Sequence, residues 1–283
     1  MVTYSIAICN YNMGETIEES LRSILNAVDD RFEVVVVDGG STDDSIDILR
    51  KINQEYECLR FISLPQSKTR KLGRDRDISI RYSNGKYVLL HIDCDDKYDE
   101  RIVDLAEAYK QMDEKIDFRF GLTGGHVTIA RRDFLLDIGS YRNISAAEDL
   151  DLWRRMMAVD GYINLKCEVL YNKIGYNKSY AELLKRILDM RVSEFQTGMS
   201  YRSFVRTRIS EKTIYKTLIA IAIATIAYPI AMTKPSFKKP SGGFHRYEKY
   251  MRYRSKHTRA PEEIEKKYNI DIDWGNIKED SQD

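Results

Sequence analysis

The sequence predicts an α/β fold: a Rossmann-like, mostly parallel sheet with helices on both faces, followed by a helical C-terminal segment. Three observations carry this. Short runs rich in β-branched residues, "YSIAICN", "FEVVVVDGG" and "YVLLHID", with a weaker "LRFISL", alternate with stretches of helical spacing over the first hundred residues. Strands that alternate with helices imply right-handed crossovers and a parallel sheet. The chain has 283 residues, 43% of them hydrophobic, enough for one large domain and an appendage. Residues 217 to 233, "TLIAIAIATIAYPIAMT", carry no charge and set the C-terminal part of the chain apart.

Each helix has its own signal. In "ETIEESLRSILNAV", Ile17, Leu21, Ile24, Leu25 and Val28 fall on one stripe. "STDDSIDILRKI" opens on N-cap types, Ser41, Thr42 and Asp43, and continues with Ile46, Ile48, Leu49 and Ile52. "RKLGRDRDISIRYSNGK" ends on the turn signal Asn84-Gly85. Further helices are expected at "ERIVDLAEAYKQM", "AAEDLDLWRRMMAVDG" and the basic "YAELLKRILDMRVSEF", and a strand near "INLKCEVLYN". The last fifty residues, basic and then acidic, read as a loosely packed surface extension. The expected division is 1–175, an α/β domain; 176–233, amphipathic and apolar helices; and 234–283, the extension.

Net charge is +1, so nothing global points to nucleic acid. Cys9, Cys58, Cys94 and Cys167 form no C-x-x-C pair, which argues against structural zinc or a disulfide framework and fits a reducing compartment. The start of the chain has no secretory signal pattern, so the active face is expected to be cytoplasmic.

In parallel sheets, ligands bind beyond the carboxyl ends of the strands. Asn10 and Asn12 follow the first run, Asp38 the second, and Asp93 and Asp95 end "GKYVLLHIDCDDKYDE". Clustered carboxylates at a buried strand end repel one another, so a positive partner is expected there. Mn2+ or Mg2+ suits a set of carboxylate oxygens. Asp96 is expected to cap the next turn, and His126 to be structural. Arg131 and Arg132 are assigned to an acceptor phosphate or to solvent.

Four stretches, in order over residues 4 to 156, resemble glycosyltransferase family 2, nucleotide-sugar-dependent enzymes with a GT-A fold. They are "SIAICNYNMGETIEESLRSIL", "VVVVDGGSTDDS", "GKYVLLHIDCDD" and "AAEDLDLWRRM". The resemblance implies that Asp95 ligates the metal directly and that Asp93 contacts the ribose or a metal-bound water. It implies that Asp38 accepts from the donor's base. Gly39 would let the backbone approach the nucleotide, with Asn10 and Asn12 on the same side. Arg76 falls where the family has an Arg against the base or phosphate, although Asp77 replaces the usual Asn. Asp149 is implied as general base with Glu148 beside it, their mutual repulsion favouring uptake of a proton. Trp153 and Arg154 would face the acceptor. One in-line attack by one base implies inversion at the anomeric carbon. No Q-x-x-R-W follows the Glu-Asp helix, which favours transfer of a single sugar.

Ala220, Ala224, Ala227 and Ala231 form one helical stripe in the apolar segment, beside a stripe of Ile219, Ile223, Ile226 and Ile230. Small residues allow close helix approach, so a homodimer through this helix is one expectation. Five Lys/Arg lie between 202 and 216 and nine between 234 and 259. Basic flanks on both sides fit a helix lying in or dipping into the inner leaflet better than a single span. The expected partners are a nucleotide-sugar donor, a glycan or lipid-linked acceptor and a membrane surface. Two rival functions remain: a non-catalytic nucleotide-sugar or lipid-binding scaffold, and a sugar-1-phosphate nucleotidyltransferase.

Overall fold

The first strand, β1 (Tyr4–Asn10), leads through α1 (Ile17–Ala27) to β2 (Phe32–Asp38), and α2 (Ser45–Glu55) leads to β3 (Leu59–Ser63). The computed structural model describes residues 2–175, 179–209 and 214–277. After α3 (Leu72–Tyr82) come β4 (Tyr87–Asp93), the short β5 (Asp96–Tyr98) and α4 (Arg101–Lys115). A hairpin of β6 (Gly121–Gly124) and β7 (Val127–Arg131) is followed by α5 (Arg132–Asp137), α6 (Glu148–Met157), β8 (Tyr162–Leu165) and β9 (Tyr171–Lys173). The C-terminal part holds α7 (Tyr180–Gln196), α8 (Tyr201–Ile209), α9 (Ile214–Met232), α10 (Tyr247–His257), β10 (Thr258–Arg259) and α11 (Pro261–Tyr268).

Eight strands make one sheet in the order β10-β8-β6-β7-β4-β1-β2-β3, and β5 pairs with β9 in a small second sheet. Every pairing in the large sheet is parallel except those of β7 with β4 and β6. Alternation along the strands feeds two cores. Tyr87 and Leu89 face α1, α2 and α4, while Val88 and Leu90 face α3, α5 and α6.

That alternation is interrupted once, next to the candidate site. Ile6 pairs with Leu89 but Ile8 pairs with Ile92, so β4 carries one extra residue. His91 takes up the bulge with φ 63°. A one-residue shift turns the following side chains to the opposite face. Asp93 therefore points toward α3 and α6 rather than toward α1.

Two expectations are corrected here. The extension is not loose over its described residues, 234–277. Thr258 and Arg259 add an edge strand to β8, Tyr250 and Phe244 enter one core, and Ile264, Ile272 and Ile277 enter the other. The Ala stripe of α9 is not offered to a second copy. Ala224, Ala227 and Ala231 are buried against Val192 and Phe195 of α7 and Phe204 of α8. The opposite face of α9 is left exposed, with Leu218 at 62%, Ile219 at 56% and Ile226 at 57%. Helix α9 is long and apolar enough to cross a membrane by length and composition, and Pro229 lies within its last turn. Lys212, one of the basic flanking residues, lies outside the described residues.

Gly73 of α3 meets the segment that leads into α6. A Cβ there would lie 1.9 Å from the backbone oxygen of Arg142, and the Gly73 amide donates to Ile144 O at 3.1 Å. Backbone cannot yield as a side-chain tip can. Gly73→Ala is expected to cost about 1–3 kcal/mol in urea unfolding, the scale of overpacking, by displacing residues 142–144.

Candidate active site

The carboxyl ends of β1, β2 and β4 lie side by side in the sheet, and Asn10 and Asp38 meet there. Asn10 Nδ2 donates to Asp38 Oδ2 at 2.7 Å, and Ser41 Oγ donates to the same oxygen at 2.5 Å. Asp38 Oδ1 accepts from the amides of Gly40 and Ser41, both at 2.9 Å. Asn12, with φ 52°, accepts from the Thr42 amide at 2.8 Å and donates its own amide to Ser41 Oγ at 2.8 Å. Gly40 has φ 93° and no room for a Cβ, which would lie 2.7 Å from Gln66 N.

Asp38, expected to accept from the donor's base, is fully buried and organises this loop, accepting one bond from Asn10 of β1 and three from Gly40 and Ser41. Ser41, expected among the helix caps, serves that loop instead. The carboxylate beside Gly39 is Asp75, whose Oδ2 lies 3.0 Å from where a Gly39 Cβ would stand. Asp75 is ion-paired with Arg70 Nε at 2.6 Å, and burial holds its pKa above the ordinary value despite that partner.

Arg76, expected against the donor's base or phosphate, is engaged by two carboxylates. Its Nη2 donates to Asp93 Oδ1 at 2.7 Å and its Nε to Glu148 Oε1 at 3.0 Å, and the guanidinium is only 7% exposed. One buried cation therefore ties the end of β4 to the start of α6. The charges respond unequally. Burial works to raise Asp93, but the Arg76 guanidinium outweighs it and holds the carboxyl below its ordinary pKa. At Glu148 burial prevails over Arg76 and pushes the pKa up to about 7. Asp149 is also raised, first by burial, with its Oδ1 accepting from the Leu150 amide at 2.7 Å.

The start of α6 is set by Ala147 in the left-handed conformation, φ 57°, which turns Glu148 and Asp149 into the crevice at a helix N-terminus. Asp151 in the same turn is structural. It is fully buried among Arg142, Arg155 and Arg154 at 3.1, 3.0 and 3.6 Å. Trp153 and Arg154 are corrected as acceptor contacts, since both are 1% exposed. Trp153 Nε1 donates to Thr128 Oγ1 at 3.0 Å, and Arg154 Nη2 donates to Thr197 Oγ1 at 2.6 Å. Thr128 also meets His91 Nδ1 at 3.0 Å, and His91 Nε2 meets the Tyr141 hydroxyl at 2.6 Å. These contacts hold the bulge that aims Asp93.

Carboxylate oxygens of Asp93, Asp95 and Asp96 lie within 4.8 Å of one another. Hard oxygen donors at that spacing fit Mn2+ or Mg2+. Asp96 is not a turn cap; it opens β5 and accepts from Lys173 Nζ at 2.9 Å, with Asp95 3.6 Å from the same nitrogen. Lys173 was not singled out in the sequence, because it arrives from β9 through a non-local pairing. Arg131 and Arg132 lie at the far end of the sheet, where Arg131 pairs with Tyr87 and Asp133. A cleft of about 730 Å3 at that same far end, lined by Phe118, Tyr162, Tyr253 and Tyr268, contains none of the crevice carboxylates.

Residues 5–137 match the model of glycosyl transferase family 2. A cholesterol galactosyltransferase of Borreliella burgdorferi is 28% identical over 101 residues, which are 36% of this chain and 27% of that protein. The chain thus spans about a quarter of that curated relative. Among solved structures, S. aureus TarS 1–349 in complex with UDP-GlcNAc is 18% identical. It superposes with a TM-score of 0.53, covering 80% of this chain and 72% of that one. The mannosyltransferase PcManGT from Pyrobaculum calidifontis, in complex with GDP-Man and Mn2+, is also 18% identical. Its TM-score is 0.55, with 89% and 83% covered. At such identity the structures establish the fold, and the sequence match lies across the crevice strands. Over residues 5–137 the chain is similar to glycosyltransferase family 2, and its structure has the GT-A fold.

Proposed function

We propose that the chain is an inverting, metal-dependent glycosyltransferase that moves one sugar from a UDP- or GDP-sugar to a hydroxyl or phosphate of an acceptor. The observation that carries this is the meeting of two acidic groups in one crevice. Asp93, Asp95 and Asp96 offer hard ligands, and Glu148, joined to Asp93 through Arg76, and its neighbour Asp149 both have raised pKa values. The relatives favour the same reading, since one is named for galactosyl transfer and two fold neighbours carry UDP-GlcNAc and GDP-Man.

Asp95, with Asp93, would hold Mn2+ or Mg2+, which as a Lewis acid offsets the charge that builds on the departing diphosphate. The loop built by Asn10, Asp38 and Ser41 presents backbone to the nucleotide, with Gly39 leaving room beside Asp75. Asp149 accepts the proton of the attacking acceptor oxygen. Arg76 keeps Asp93 ionised and fixes Glu148 at the same time.

The reading is tested by donor hydrolysis and transfer with UDP- and GDP-sugars, with and without Mn2+. Turnover is expected only with metal. Asp149→Asn is expected to lower kcat by about 10²–10⁴, the range of general-base contributions. Because the Asp149 pKa is raised and the base acts deprotonated, the rate should climb with pH through that value, and the Asn variant should lose this limb. A scaffold would bind nucleotide with no turnover in either protein.

We also propose that residues 176–233 hold the enzyme on an anionic membrane, with 1–175 as the transferring unit and 234–277 closing its sheet. The support is the exposed apolar face of α9, joined by Leu183 and Leu184 of α7, between basic flanks. A lipid acceptor in the name of one relative agrees with it. The triple change of Leu218, Ile219 and Ile226 to Glu should abolish sedimentation with phosphatidylglycerol vesicles without changing the far-UV spectrum. Sedimentation equal to that of the unaltered protein would refute this placement.

A further inference from the structure

The acidic cluster of the free chain is already partly neutralised by the chain itself. Asp93 is paired with Arg76, and Asp96 and Asp95 share Lys173. Three carboxylates against two cations leave about one net negative charge, and Arg76 is further shared with Glu148.

The two cations differ in kind. Arg76 is buried and held at both ends of its fork, so it cannot leave. Lys173 is 63% exposed on its side chain, and its backbone is fixed independently by the pairing of β9 with β5 and by the Ile174 amide donating to Asp95 O at 3.2 Å. The ammonium can swing away on its flexible stem while the strand stays in place. Its nitrogen already lies 5.5 Å from the ring centroid of Tyr171, a resting face outside the cluster.

We propose that Lys173 is a resident counter-cation of Asp95 and Asp96, which makes the cluster take up a divalent metal only together with a nucleotide diphosphate. This rests on the metal-dependent reading above. A dication added alone would leave the pocket net positive while Lys173 stays, or would require its displacement. Added with a diphosphate, the dication meets enough negative charge for both cations, and the released ammonium has phosphate oxygens to pair with. Lys173 thereby sets the order of assembly, discouraging the bare ion without altering the ligand set.

The test uses the full chain and electron paramagnetic resonance of free Mn2+, with and without UDP, on the unaltered protein, Lys173→Met and Lys173→Arg. Lys173→Met is expected to bind Mn2+ alone about tenfold more tightly, the scale of one screened charge a few ångströms away. The gain in Mn2+ affinity conferred by UDP should shrink by a similar factor. Lys173→Arg, which keeps the charge, should stay close to the unaltered protein. Lys173→Met with unchanged or weaker affinity for Mn2+ alone would overturn the proposal. So would equal changes in the Met and Arg variants, since charge would then not be the cause. If no protein binds Mn2+ even with UDP, the metal-dependent reading fails and takes this inference with it. If UDP-dependent Mn2+ binding is normal in all three and Mn2+ alone binds equally, only the role of Lys173 fails.

Discussion

Asp95→Ala is expected to abolish Mn2+-dependent binding of the donor nucleotide and to lower transfer about 10³-fold, a loss of roughly 4 kcal/mol of transition-state stabilisation. The size follows from geometry. Asp93 is committed to Arg76 and Asp96 to Lys173 at hydrogen-bond distance, while the contact of Lys173 with Asp95 is looser at 3.6 Å. Asp95 is therefore the carboxylate freest to become a ligand. Its removal should leave the fold intact, because no core contact depends on it. Titration calorimetry with UDP in Mn2+ and in chelator reads the effect directly: affinity should differ between the two media for the unaltered protein and coincide for Asp95→Ala.

Arg76→Met is expected to be the most damaging single change to stability. It strands Glu148 without its cation and deprives Asp93 of its strongest partner. Breaking a buried pair by removing one member costs about 3–5 kcal/mol; the 47% exposure of the Asp93 side chain places the expectation at the lower end, about 3 kcal/mol. The deficit should depend on pH. A carboxyl whose folded pKa stands above its unfolded value takes up a proton on folding. Its contribution is present at low pH and lost as pH rises through the folded value. Glu148 already has its pKa raised to about 7 with Arg76 in place and moves further up without it, while Asp93 loses the partner that holds its pKa down. The variant should thus be least stable relative to the unaltered protein at pH 8 and recover toward pH 5. Denaturant unfolding at the two pH values checks this. Arg76→Lys should recover part of the loss, since it restores the charge but cannot fork to both carboxylates.

The crevice was legible in the sequence to the extent that it is built at strand ends. Alternation places β1, β2 and β4, and the polar residues that end them lie at neighbouring strand ends. What sequence reading missed is non-local. Nothing near His91 signals the bulge that turns Asp93 toward α3 and α6, because its cause is a set of contacts with Thr128 and Tyr141, 37 and 50 residues away. Arg76 is singled out by its place along the chain, but its partner Glu148 lies 72 residues on. Lys173 reaches the cluster only through the pairing of β9 with β5.

Trp153 and Arg154 misled for a different reason. Helix α6 is buried on nearly all sides beyond its first turn, so Trp153, Arg154 and Arg155 face protein, and Asp151 supplies the compensating charge inside. The C-terminal tail looked loose because its composition is polar and its sheet contribution, β10, is two residues long. A strand that short has no periodicity to detect.

The central claim is that Asp93 and Asp95 receive a dication together with the donor's diphosphate. The direct measurement is anomalous diffraction from crystals soaked with Mn2+ and UDP. The account predicts a manganese peak within coordinating distance of an Asp95 carboxylate oxygen, with the nucleotide along the Asn10–Ser41 loop. Bound UDP with no manganese at Asp95, or manganese bound elsewhere, would contradict it.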